Sequence, residues 1–114
     1  MAKYIVFIYD DEARIGSASP DAFQATTEGH QKFAASHGQS LRGGGRLAPA
    51  ASGVSVRTGA DGTQAAGQPG PFLPEAGQYI GGYYIIEADD ITQAGKIASD
   101  VPAPFGGVEV RELR

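Results

Sequence analysis

The chain's pattern predicts an α+β fold of the ferredoxin-like type, an antiparallel sheet with two helices on one face. Three observations carry this expectation. Lys3-Tyr-Ile-Val-Phe-Ile-Tyr9 is an unbroken apolar, β-branched and aromatic run, as in a strand covered on both faces. Ser19-Pro20-Asp21 then opens a helix, and Gly81-Gly82-Tyr83-Tyr84-Ile85-Ile86 is a second strand of the first kind, followed by a second helix and an alternating strand. The order is strand, helix, two or three strands with a hairpin, strand, helix, strand.

The 114 residues make one domain, residues 1–114, long enough to bury a core without staples. There is no cysteine, which removes disulfides, thiolate metal sites and thiol nucleophiles. A net charge of −4 with no basic face argues against nucleic acid as a direct partner. The longest apolar runs fall far short of a membrane span and no cleavable signal pattern is evident, so a cytoplasmic location is expected. The 17 glycines and 7 prolines concentrate between Gly38 and Gly82, outside the periodic segments, and indicate long loops rather than disorder.

After the first strand, Asp10-Asp11-Glu12 reads as a solvated strand end, with metal binding the less favoured alternative. In the first helix Ser19 can cap, Pro20 suits the first helical position and Asp21 faces the positive end of the dipole. This helix should run to about His37 and stop at Gly38. Its inward stripe is Phe23, Thr26 or Thr27, His30, Phe33, Ala34 and His37, so His30 faces the core or a cleft. A histidine there can move a proton or orient a substrate; the simpler reading is a structural residue met by a carbonyl or a Tyr hydroxyl. His37 is explained by a favourable charge at the helix C-terminus.

Arg42-Gly43-Gly44-Gly45-Arg46 interrupts Leu41 and Leu47 and is taken as a bulged strand or turn, with anion binding a weaker alternative. No P-loop or dinucleotide fingerprint is present, and no cofactor or metal is expected. Val54–Thr58 alternates, and Asp61-Gly62 should turn it onto a partner near Thr63–Ala66. Gly67–Ala88 begins as a loop that Pro69, Pro71 and Pro74 keep from being helical and passes directly into the second apolar strand. A cleft is expected between the first helix and this loop and strand, lined by Phe72, Tyr79, Tyr83 and Tyr84. Asp90 caps the second helix, with Gln93 completing a capping box, and Ile91, Ala94, Ile97 and Ala98 form its stripe. Val108–Leu113 alternates as an edge strand. Because two helices cover only one face while two strands are apolar on both, a homodimer with sheets face to face is expected.

The N-terminal strand with its acids, the Ser-Pro helix carrying His30 and Phe33, Leu47-x-Pro49, Gly70-Pro71-Phe72, Gly81-Gly82-Tyr83-Tyr84 and Gly107-x-Val-Glu-Val-Arg111 together resemble the YCII-related, or DGPF-domain, proteins. The resemblance covers nearly the whole chain. It implies a ferredoxin-like fold forming a dimeric α/β barrel, a suspected enzymatic activity with a His–Asp pair, and, for some members, association with or fusion to sigma factors. His30 matches the helix histidine. The acidic residue of the Asp-Gly-Pro-Phe motif is Pro69 here, and the loop to the double glycine is one residue longer, with Pro74-Glu75 in it. Only Glu75, Asp10 or Asp11 could replace that aspartate. Loss of the motif acid favours a ligand-binding or interaction domain; the alternative is a cofactor-free small-molecule enzyme with His30 as general acid/base and a tyrosine hydroxyl binding an oxyanion.

Overall fold

A computed structural model describes residues 1–114. Four strands form an antiparallel sheet: β1 (Ala2–Asp10), β2 (Leu41–Arg46), β5 (Tyr79–Ala88) and β6 (Gly106–Glu112), in the order β2-β5-β1-β6. The two apolar runs, β1 and β5, are its central strands and pair along their whole length. Three α-helices accompany the sheet: α1 (Glu12–Gly16), α2 (Pro20–Ser36) and α3 (Ile91–Ala98). This is a mixed α+β architecture of the ferredoxin-like type, and the sheet of the single chain is open, not closed into a barrel.

Local chemistry explains the helix boundaries. Ser19 Oγ accepts from Ala22 N at 3.1 Å with Pro20 opening α2, and Asp90 Oδ1 accepts from Gln93 N at 2.8 Å at the start of α3. The expected capping box closes one residue early, because Gln93 Oε1 accepts from Asp89 N instead of Asp90 N. Helix α1 departs from the expected plain strand end. Asp11 Oδ1 accepts from Ala13 N and Arg14 N, and this cap starts a single short helix too brief to show periodicity.

The core lies between one sheet face and α2 and α3. Tyr4, Val6 and Ile8 of β1 and Ile86 and Ala88 of β5 meet Phe33 of α2, Ala94, Ile97 and Ala98 of α3, and Val101. Phe33 is 2% exposed and its ring stands 4.8 Å from that of Tyr84. His37 at the end of α2 binds Asp100 at 2.8 Å, tying α2 to the turn after α3.

The opposite sheet face has no cover. In register, Phe7 pairs with Tyr83 and Ile5 with Ile85, and all four are half-buried. The chain spans only 18 Å in its thinnest direction, one sheet plus one helix layer.

The region between β2 and β5 forms a separate hairpin. β3 (Val54–Ser55) pairs with β4 (Gln68–Pro69), and Thr58 bridges Gln64 around the Asp61-Gly62 turn, where Gly62 adopts φ +85°. The expected turn is present, but the ladder is interrupted and its paired end lies later than Thr63–Ala66.

Replacing Phe33 with Ala should lower unfolding stability by about 3–5 kcal/mol, because it opens a cavity where helix, sheet and Tyr84 meet. Urea denaturation of the two proteins measures this, and a loss below about 1 kcal/mol would contradict Phe33's place at the centre of the core.

Candidate functional site

β2 and β5 are adjacent antiparallel strands in which glycines face tyrosines: Gly44 lies opposite Tyr84 and Gly45 opposite Tyr83. A Cβ on Gly44 would lie 2.8 Å from both Tyr84 Cδ1 and the Tyr83 carbonyl, and one on Gly45 would lie 3.3 Å from Tyr83 Cε1. The rings occupy the space that side chains on β2 would fill. The glycine run expected to be a bulged strand or turn is a bulged strand: Leu41 pairs with Ile86 and Gly43 with Ile85, which leaves Arg42 as the extra residue.

A second bulge shapes the site. Ile8 pairs with Gly82 and Tyr9 with Ile80, so Gly81 is the unpaired residue of β5. A Cβ on Gly81 would collide with Asp10 Oδ2. Asp10, the last residue of β1, therefore rests its carboxylate against bare backbone.

Beside these positions α2 and the sheet enclose a cavity of about 370 Å³. Asp10, Arg46, His30, Tyr84, Thr26 and Thr27 are among its polar lining, and Ile8, Ile15, Phe23, Pro102, Pro104 and Phe105 form its apolar walls. This volume suits a small organic molecule. His30 Nδ1 lies 2.7 Å from Tyr84 Oη, and Nε2 has no hydrogen-bond partner in the chain. Which of the two donates depends on the tautomer. If Nδ1–H donates, Tyr84 can present its own O–H and His30 the Nε2 lone pair; if Tyr84 donates, Nε2–H is presented instead.

Burial sets the electrostatics here. Desolvation lowers the His30 pKa from 6.5, with Arg46 adding to that effect and Asp10 opposing it. Desolvation also raises the Asp10 pKa from 3.8, with Glu12 in the same direction and Arg46 and His30 opposed. The Tyr84 hydroxyl is raised above 10.0 by burial and remains protonated at neutral pH. The resting site thus combines a neutral imidazole, a protonated phenol, a poorly solvated carboxyl and a guanidinium.

Of the residues expected at the cleft, His30, Tyr83 and Tyr84 border this cavity, while Phe72 and Tyr79 lie elsewhere. Phe72 is 54% exposed, the Arg57 guanidinium stacks 4.3 Å above its ring, and Arg57 also donates to its carbonyl. Tyr79 Oη donates to Pro74 O at 2.6 Å, closing the proline loop on itself. The strand half of Gly67–Ala88 is thus a cavity wall and the loop half turns away. Among the three carboxylates considered in place of the missing motif aspartate, only Asp10 lines the cavity. Asp11 caps α1, and Glu75 lies in the exposed loop. The acidic triplet serves three separate purposes, since Glu12 Oε1 accepts from Ala50 N at 2.8 Å. Sequence reading gives no role to Phe105 and takes Pro102 and Pro104 only as a bar to extension of the second helix; only the fold brings the α3–β6 connection over α2.

The model of the YCII-related domain matches residues 2–114, and the chain belongs to that family. No curated protein matches it.

The charges around His30 fix the direction of its titration. By NMR its midpoint should lie below 6.5, fall further in Asp10→Asn and rise in Arg46→Gln. Between the folded value and 6.5 the unfolded chain binds more protons, so the His30 contribution to stability rises as pH increases through that window. Asp10 acts oppositely between 3.8 and its raised folded value, where the folded state holds the extra proton. An unchanged His30 midpoint in both variants would separate these residues electrostatically.

Proposed function

We propose that this member of the YCII-related family binds a small organic molecule in the cavity between α2 and the β2–β5–β1 sheet, acting as a ligand-binding domain. The observation that carries the reading is the convergence of His30, Asp10, Arg46 and Tyr84 on one apolar-walled space of about 370 Å³. Desolvated polar groups gathered in a cleft are costly to maintain, and such groups are concentrated at functional sites.

Proton transfer is the second reading. It is favoured by the free Nε2 of His30, whose other nitrogen is held by Tyr84 at 2.7 Å, and by Asp10 in the same cavity. In that case His30 takes a proton from a bound acidic C–H or O–H, Asp10 stabilises the imidazolium that forms, and the Tyr84 hydroxyl donates to the developing oxyanion. No cofactor is needed for such a step.

The bare sheet face supports a homodimer, with two sheets meeting as a dimeric α/β barrel. Its apolar centre of Ile5, Phe7, Tyr83 and Ile85 is bordered on β6 by Glu109, opposite Phe7, and Arg111, opposite Ile5. A twofold axis through that centre can bring one subunit's Glu109 towards the other's Arg111, giving apolar burial within a charge-matched rim.

A metabolite-library thermal-shift screen tests the binding reading. Hits should stabilise the wild type and lose their effect in Thr27→Trp, which places an indole in the cavity from an exposed helix position, and in His30→Ala. Equal stabilisation of all three proteins would place the ligand elsewhere. For the assembly, light scattering at micromolar concentration should return twice the chain mass, and Ile85→Glu should return the single-chain mass; a monomeric wild type would count heavily against the dimer.

A further inference from the structure

The residue that stands out beyond the His30 neighbourhood is Arg46. A second cavity of about 470 Å³ adjoins the first and shares Asp10, Ile15, Arg46 and Gly81 with it, so Arg46, an exposed residue, stands where the two spaces meet. The other arginines around the fold's loops are committed. Arg14 donates to Pro104 O, Arg42 to Glu87 and to two carbonyls, and Arg57 to Phe72 O. Arg46 makes neither a hydrogen bond nor an ion pair within the chain, although it is near enough to Asp10 to favour the charged carboxylate. The Leu47 N–H donates to the Gly81 carbonyl at 2.9 Å, which carries the β2–β5 pairing past the bulge and fixes the backbone that presents Arg46.

We propose that Arg46 is the anion anchor of the cavity and that the ligand is a small organic carboxylate whose apolar body packs against Ile8, Ile15, Phe23 and Phe105. This deepens the ligand-binding reading and rests on it. A guanidinium offers a planar fork that matches a carboxylate in two parallel hydrogen bonds, and one with no internal partner gives up no hydrogen bond within the chain when it engages a ligand. Ile8, Ile15, Phe23 and Phe105 give the same cavity apolar surface, so a ligand with one charged end and a hydrocarbon body is complementary to it.

Charge balance adds a consequence. Asp10 and Arg46 offset each other and His30 is neutral, so a bound carboxylate leaves the site with one uncompensated negative charge. The groups that face His30 are Tyr84 from β5, Asp10 from β1 and Arg46 from β2, with uncharged Phe23, Thr26 and Thr27 from its own helix and Pro102, Pro104 and Phe105 from the α3–β6 connection. His30 is the group able to restore balance near neutral pH, so carboxylate binding draws a proton onto it.

The test is a ¹H–¹⁵N NMR titration of the full chain with benzoate and phenylacetate, and with the neutral isosteres benzamide and phenylacetamide. The acids should perturb the Gly81, Gly82 and Tyr84 amides and bind more tightly than the amides. Arg46→Gln should weaken the acids about ten- to a hundredfold while leaving the amides unchanged, and Arg46→Lys should recover part of the loss. Acid affinity should be higher at pH 6 than at pH 8 in the wild type and independent of pH in His30→Leu. Amides that bind in the cavity as well as the acids do, or acids indifferent to Arg46→Gln, would overturn the anchor and leave the cavity reading standing. A flat pH response would overturn proton uptake. If neither acids nor amides perturb the cavity amides, the ligand-binding reading falls and the anchor with it.

Discussion

β5 runs so close to its neighbours that side chains cannot be accommodated at several positions along it. Gly44 and Gly45 yield their space to the rings of Tyr84 and Tyr83, and Gly81 yields its to the Asp10 carboxylate. From this crowding the rest follows. Tyr84, packed over Gly44, meets two residues of α2, with its ring centroid 4.8 Å from that of Phe33 and its hydroxyl 2.7 Å from His30 Nδ1. The centre of the core and the polar end of the cavity are thereby joined through one side chain. A glycine in a strand interior ordinarily weakens it, by roughly 0.5–1 kcal/mol relative to alanine, so a run of three opposite two tyrosines is tolerable only where the rings recover that loss by packing.

The bulge at Gly81 works by the same logic. A regular ladder would have set a Cβ against β1 at this point. The extra residue bends β5 and leaves bare backbone beneath Asp10, so the carboxyl sits in the cavity wall with no hydrogen bond from the chain. Burial without a donor is why its affinity for a proton is raised, and the same burial lowers that of His30. Arg46 restrains the first effect and adds to the second. The Arg46 charge thus acts on both titratable groups, opposing the rise at Asp10 and adding to the fall at His30.

Much of this could be read from the residues. Unbroken apolar runs marked β1 and β5 as central strands, Ser19-Pro20 marked the start of α2, and the helical spacing placed His30 inward, because each signal is local and strong. Other features depended on distant chain. Asp11 looked like part of an acidic strand end because a five-residue helix has no period to detect. The aromatic loop was read as a cleft wall from its composition, but Arg57 and Pro74 hold Phe72 and Tyr79 away from it. Arg46 sat in a glycine-rich run with an anion-binding alternative already attached. What the sequence lacked was its alignment with Gly82 of β5, which only the register supplies.

The bare sheet face and the cavity are coupled by the alternation of β5. Tyr83 pairs with Phe7 and rests its ring on Gly45; Tyr84, the next residue, rests on Gly44 and reaches His30. Gly44, Gly45 and Arg46 are consecutive on an edge strand whose only pairing partner in the chain is β5. An edge strand is held by half the hydrogen bonds of a central one, so whatever packs on Tyr83 also steadies the strand that carries Arg46. Covering the open face would therefore stiffen the polar end of the cavity without touching it. Adjacent in sequence, the two tyrosines turn their rings to opposite faces because successive residues of a strand alternate.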